Sequence, residues 1–593
     1  MINSETEKKG ALFITQQSGA ALLLAVFTLT LIALAYAVRS LNYNDLHALD
    51  DRKTEQVLAE AKASLISWSV NHPYIPGLMP YPDRNADAGG YDGLSDCPGG
   101  ATSYTHLIGQ LPWRAGDYNN CSTFLKGLGK EFKDGSNEHL WYAVSKNLVH
   151  IYSPSGNPII NPSIIDSPPY GAWLSVYDKN GALISDKVAV VIMSPGSSLG
   201  GQDRSGGVAG ANNYLDAYTL QAGGGAKSNR TYTVANEDFF LGENSRGVRS
   251  DNSVYQQPYY FNDRLVYITI DELMSEIEKR VSGEVRLALE RYYINSSPTP
   301  SARYYPYAAI PGSASNPNQC ITGNMQGLLP TVTAAPYTCT YSSTTTGLFT
   351  VNNAATCSFG AVSTISFTRA TGTYDDNSGA CIRQSGNTTC RCTGAGSCNA
   401  GGVIRFSCTA GGICSTNATA PLSTVGPGRF SFTSTNTFTS TGTNSLTLSD
   451  NSSGSFDLAA CTDNPIPLSP TIYGLPSWFA ANQWQDYIYY VVSANCTSGS
   501  NNCLTATPQL TVGTRARVHA LVISAGKPVT TNPYADSKGA AQASLRPSSD
   551  HKDYLDSIEN TNVSVVNGSG DVIFDAVNTP QSAKYNDQLF IVQ

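Results

Sequence analysis

The chain is short of charge: Asp, Glu, Lys and Arg make up 14% of its 593 residues, where an ordinary globular protein carries about a quarter. Net charge is −8 at pH 7 and Lys and Arg form no stripe, so the electrostatic footprint of a nucleic-acid binder is missing. No C-x2-C pair occurs, and none of the seven histidines stands at zinc-ligand spacing from a cysteine pair. That argues against a structural zinc module. A nucleophile elbow needs G-x-S-x-G; Ser194-Pro195-Gly196 follows an apolar run without that frame, and Ser194 reads as a turn residue. Long apolar runs are also scarce. The one long apolar run, Ala20–Val38, AALLLAVFTLTLIALAYAV, carries no charge over its 19 residues.

That run would span about 28 Å as a helix, close to a bilayer core. A cleaved secretory signal is the alternative, but signal cores are shorter and end in a small-residue site, whereas Arg39 follows here directly. Lys8 and Lys9 precede the run, which by the positive-inside rule leaves the N-terminus cytoplasmic. The expectation is a single-pass inner-membrane anchor with a periplasmic body. All 14 cysteines follow the run: Cys97, Cys121, Cys320, Cys339, Cys357, Cys381, Cys390, Cys392, Cys398, Cys408, Cys414, Cys461, Cys496 and Cys503. An even count of this size favours disulfides in an oxidising compartment. Cys97 with Cys121 and Cys496 with Cys503 are the local candidates; the remaining pairing stays open.

Downstream, Leu46, Leu49, Val57, Leu58, Ala61, Leu65 and Trp68 recur at helical spacing among charged residues. This predicts an amphipathic helix continuing the apolar one to Asn71 and stopped by Pro73. A polar leader ending Gln16-Gln17-Ser18-Gly19 and followed at once by Ala20-Ala21-Leu22 resembles the N-terminus of type IV pilins and type II secretion pseudopilins. The resemblance covers about the first 70 residues. It implies cleavage between Gly19 and Ala20, an inner-membrane stage before assembly, and partners of pilin type packed along the helix. The family usually carries Glu five residues after the cut, where this chain has Leu24; minor subunits near a filament tip often lack it. Gly10 is a second candidate cut, and a plain signal-anchor on an unrelated ectodomain is the rival reading.

The body repeats itself. Val188–Gly196 answers Val518–Gly526, Asn213-Tyr214-Leu215-Asp216 answers Asp553-Tyr554-Leu555-Asp556, and Asn262-Asp263 answers Asn586-Asp587. Leu140–Ser145 answers Ile488–Ser493, and Leu111-Pro112 answers Leu475-Pro476. A second amphipathic helix starts at the capping box Thr269-x-x-Glu272, with Leu273, Ile277, Val281, Val285, Leu289 and Tyr292 on one face. The fold class expected is α+β, a long N-terminal helix on antiparallel sheet, duplicated. The parts are a leader 1–19, an anchor helix 20–44, copy 1 at 45–270, and copy 2 at 271–310 and 470–593. A Cys/Ser/Thr/Gly-rich β domain is inserted at 311–469, its thin apolar content stapled by disulfides.

Asp83, Asn85 and Asp87 place oxygens at alternate positions like the opening of a calcium loop, although Ala88 stands where glycine is expected. An ordinary Asx turn is the alternative. Calcium is the one cofactor considered. The recurring Asn-Asp and Tyr-Leu-Asp blocks read as structural, since two copies of one active site would be unusual. No enzymatic role is expected. The insertion, polar and aromatic, suits hydrogen bonding to carbohydrate or protein. The expected role is a minor pilin-like subunit with an outward adhesive or tip-capping domain. A minor pseudopilin contacting cargo, or a membrane-anchored hydrolase, are the rivals.

Overall fold

The computed structural model describes residues from Ala11 onward apart from intervals, the longest being 115–126, 242–260, 360–373, 530–545 and 561–572; between 337 and 458 it describes strand backbones alone. The class is α+β. Helix α1 (Ala11–Val70) runs unbroken for 60 residues, so Gly19 and Ala20 lie inside it. It stops just before Pro73, because the residue preceding a proline is driven out of the helical region. Its Thr54, Leu58, Ala61 and Leu65, spaced at one helical face, are 4%, 2%, 0% and 0% exposed.

The expected inner-membrane placement does not hold: among the described residues no helix is long and apolar enough to cross a membrane. The run's described side chains are the twelve from Ala25 to Tyr36.

The chain divides into two compact units. Unit 1 comprises 1–68, 79–156 and 170–269. Its sheet contains β1 (Ile108–Gln110), β2 (Trp141–Val144), β3 (Leu174–Tyr177), β4 (Leu183–Ser194), β5 (Asp238–Phe240) and β6 (Arg264–Thr269). Strand β4 is central: β2 and β6 both pair with it antiparallel, and β1 pairs with β2. All four residues of β2 and all six from Val188 to Met193 are buried, the mark of a strand covered on both faces. The α1 face is tied on by Thr54, whose hydroxyl accepts the Gly135 N–H at 2.9 Å, and by Arg264 paired with Asp51 at 3.2 Å. Tyr142, fully buried, donates to the Pro80 carbonyl at 3.0 Å, and the Met79 N–H reaches the Leu148 carbonyl at 2.7 Å.

Unit 2 comprises 69–78, 157–169 and 270–593. Helix α2 (Ile270–Ser296) opens with Asp271 and Glu272 in its first turn, where carboxylates favour the helix dipole. Its predicted face is buried at every position from Leu273 to Tyr292. It ends at Ser296, immediately before Ser297-Pro298. The sheet runs β7 (Gln326–Leu328), β8 (Ile488–Val492), β11 (Ala520–Ser524), β13 (Gln588–Val592), each neighbour antiparallel. Between them in sequence lie β9 (Leu510–Val512), β10 (Arg515–Val518) and β12 (Ile573–Phe574), which form a small side sheet. Tyr490, fully buried, donates to the Pro306 carbonyl at 3.1 Å, and the Tyr305 N–H reaches the Cys496 carbonyl at 2.7 Å.

Within the expected insertion the strands are short and nearly all antiparallel. Tyr337–Ser342 pairs with Ser453–Leu458, which brings the segment's two ends together. The register sets Cys381 opposite Cys392 and Cys390 opposite Cys414. Ile365-Ser366-Phe367-Thr368, whose alternating pattern predicts a strand, lies outside the described residues.

Candidate functional site

The residues that recur along the sequence converge at the start of the last strand in each unit. In unit 1, Asp216 and Asp263 are 47 residues apart and interlock. The Asp216 N–H donates to Asp263 Oδ2 at 2.8 Å, and the Asn262 N–H donates to Asp216 Oδ2 at 2.8 Å. Asn229 Nδ2 adds a third donor to Asp263 Oδ2 at 3.0 Å, and Gln202 Nε2 caps Asp216 Oδ1 at 3.0 Å. Arg230 stands 3.9 Å from Asp216 Oδ1. Asn262 Nδ2 donates to the Ser197 carbonyl at 2.7 Å. Arg204 binds the Gly196 carbonyl at 2.7 Å and lies 4.9 Å above the Tyr214 ring.

Unit 2 holds the same arrangement. The Asp556 N–H donates to Asp587 Oδ2 at 2.9 Å and the Asn586 N–H to Asp556 Oδ2 at 2.7 Å. Asn586 Nδ2 reaches the Lys527 carbonyl at 2.6 Å. Arg546 binds the Gly526 carbonyl at 2.6 Å and lies 5.0 Å above the Tyr554 ring. Gly196 and Gly526 sit at φ +60° and +52°, the left-handed region that glycine enters without a Cβ penalty. Asp263 and Asp587 are 1% and 3% exposed, and in each one oxygen, Oδ1, is buried without a hydrogen-bond donor.

The sequence flags the Asn-Asp and Tyr-Leu-Asp blocks but not their partners. Arg204 follows Gly196 by eight residues while Arg546 follows Gly526 by twenty, so block matching passes over them. Asn229 and Asp134 carry no motif at all.

The remaining candidates disperse. Ser194 is 1% exposed and donates to Asp134 Oδ2 at 2.7 Å; the Gly196 N–H shares that oxygen at 3.0 Å. Ser194 therefore serves a buried turn. Of the proposed calcium ligands, Asp83 is 1% exposed and its Oδ2 accepts the Gly93 N–H at 2.7 Å. Asn85 is exposed and Asp87 lies outside the described residues. Asp96 accepts the Arg84 N–H at 2.6 Å, and Arg84 Nη2 returns to the Asp96 carbonyl at 3.1 Å. The carboxylates of Asp83 and Asp96 are thus each engaged by a backbone N–H of the loop itself.

Cys496 and Cys503 are disulfide-bonded, and Cys97 and Cys320 are also in disulfides. Cys121 and Cys461 lie outside the described residues, as do the side chains of Cys339, Cys357, Cys381, Cys390, Cys392, Cys398, Cys408 and Cys414. His519 approaches the Cys496–Cys503 pair closely enough for the three to face one ion, but the two sulfurs are bonded to each other. That leaves His519 alone, too few ligands for a metal centre.

Comparison with known proteins finds no family model that matches this chain, and no similar curated protein or solved structure.

Proposed function

We propose that the chain is a minor subunit of a pilus-type filament, packing beside other pilin-type subunits through α1 and carrying the 311–469 segment as an adhesive or tip-capping domain. The observation that carries this reading is the uncovered stretch of α1. Phe27, Leu29, Ile32, Leu34 and Tyr36 are 63%, 67%, 66%, 63% and 76% exposed, whereas the later half of the same helix is built into unit 1. Contiguous apolar surface of this kind calls for a partner, and a long rigid helix with one such end suits lateral packing against like helices. The Gly19–Ala20 junction supports the same reading.

We also propose that the two units are copies of one module. Support comes from the matching strand orders β1-β2-β4-β6 and β7-β8-β11-β13, the Tyr-to-Pro-carbonyl bonds at Tyr142 and Tyr490, and the interlocked aspartates of each unit. The insertion then belongs to the second copy, and its paired end strands fit a domain that leaves and re-enters a module at one place.

The test is photo-cross-linking in producing cells. A photoreactive residue at Leu29 or Ile32 should trap another pilin-type subunit, while the same residue at exposed Lys279 on α2 should not. Equal trapping from all three positions, or none from α1, rejects the assembly role. A trapped secretion-machine subunit, with loss of secretion on deletion, would favour the pseudopilin alternative.

A further inference from the structure

In unit 1 the carboxyl side chains of Asp216 and Asp263 lie in hydrogen-bonding reach of one another, in unit 2 those of Asp556 and Asp587 lie close enough to repel, and all four are out of water. Two ionised carboxylates in such contact repel strongly, and a buried charged oxygen without a donor carries a desolvation penalty of its own. Two species could relieve this: a cation or a proton. A calcium-type ion needs six to eight oxygens facing it. Here, though, the inward oxygens are occupied by N–H donors: Asp216, Asn229, Asn262 and Gln202 in unit 1, with Asp556 and Asn586 in unit 2. The carboxyl oxygen left without a donor is Oδ1 of Asp263 in unit 1 and Oδ1 of Asp587 in unit 2, one per site and far fewer than a cation needs. A proton fits.

We propose that Asp216–Asp263 and Asp556–Asp587 each hold one shared proton, and that this proton locks the last strand of each unit to the preceding loop in a pH-sensitive way. The geometry is the same twice: the second aspartate immediately precedes the last strand, β6 or β13, and its partner lies in the loop that follows the central strand. Burial, then the neighbouring Asp216, raises Asp263 well above the ordinary carboxylate range. Burial, then Asp556, does the same to Asp587. The charged groups facing the first pair are Arg230, with Arg204 and Glu138 beyond Tyr214. Those facing the second are Arg546, Asp553 and Asp486.

The sign follows from the raised values. The folded state keeps a proton that the unfolded chain releases near the ordinary carboxylate value. Stability from the pair is therefore complete below that value and is lost as pH rises through the folded one. At the alkaline end each pair carries two like charges, and the joint between loop and last strand loosens.

The experiment uses full-length protein and the Asp263→Asn/Asp587→Asn double variant, whose amides keep the neutral shape and accept the same N–H groups. Infrared spectra at about pH 7, where exposed carboxyls are ionised, should show a neutral carboxylic-acid band in the wild type that the variant loses. Above about pH 6.5, where His72 is already neutral, the wild-type folding constant should fall by up to about tenfold per pH unit for each pair. The variant should be flat over that range. A wild type without the band, or variant and wild-type pH profiles that overlay, would overturn the proposal. Should the double variant not fold, the wild-type band alone decides.

Discussion

Replacing Gly526 with alanine tests whether the turn beside Asn586 is as tightly built as its geometry implies. Gly526 has φ +52°, and a Cβ there would lie 2.5 Å from Asn586 Oδ1, 2.6 Å from its Cγ and 3.0 Å from its Nδ2. Asn586 has little freedom to retreat, since its Nδ2 bonds the Lys527 carbonyl at 2.6 Å and its backbone N–H bonds Asp556 at 2.7 Å. A non-glycine residue in the left-handed region costs about 1–2 kcal/mol. Displacing Asn586 from buried partners adds about 1–3 kcal/mol. The sum, about 2–5 kcal/mol, corresponds to a fall of about 3–7 °C in the melting temperature of unit 2, taking an unfolding entropy of about 2.1 cal/mol/K per residue over about 350 residues. Thermal unfolding of purified full-length protein reads it directly. Gly283→Ala is the internal control. Gly283 lies in α2 with nothing within 4 Å of its Cβ position, so alanine there should raise stability by up to about 1 kcal/mol. A Gly526→Ala protein as stable as the wild type would refute the reasoning, and so would a Gly283→Ala protein that loses as much as Gly526→Ala.

Three further outcomes are expected. Burial, then the nearby Arg280, lowers His72 to about 4, and its Nδ1 accepts the Ile75 N–H at 2.9 Å. The folded state resists a proton that the unfolded chain takes up near pH 6.5, so stability from His72 is present above that pH and lost as pH falls toward about 4, by about 3 kcal/mol; urea titrations of His72→Gln against wild type should show a flatter acid limb. Asp134→Ala should cost about 2–5 kcal/mol by urea unfolding, because Asp134 accepts from Ser194 Oγ, the Gly196 N–H and, at 2.9 Å, the Glu138 N–H, and orphaned buried donors cost about 1–3 kcal/mol each. Removing the Cys496–Cys503 bridge with a double alanine variant should cost about 2–3 kcal/mol, the loop-closure value for a separation of 7 residues.

Helical and strand periodicity made much of this fold readable before any coordinates. The face Leu273, Ile277, Val281, Val285, Leu289 and Tyr292 repeats at helical spacing and is buried throughout. Val188–Met193 and Ala520–Ser524 are continuous apolar runs because both strands are central and covered. Charge-free length was a poorer guide. Ala20–Val38 reads as a membrane span by length and composition, yet among the described residues no helix is long and apolar enough to cross a membrane.

The aspartate pairs show a different limit. Their recurrence is visible in Asn262-Asp263 and Asn586-Asp587, and it correctly suggests packing and turns. That Asp263 meets Asp216, and that Arg204 and Arg546 close the same joint, depends on chain crossings with unequal loop lengths. No local pattern encodes those.

N-terminal sequencing of the mature protein recovered from producing cells tests the central claim most directly. The pilin-type account predicts a chain beginning at Ala20, the residue after Gly19. A mature protein that still begins at Met1, or one that begins beyond Val38, would contradict it.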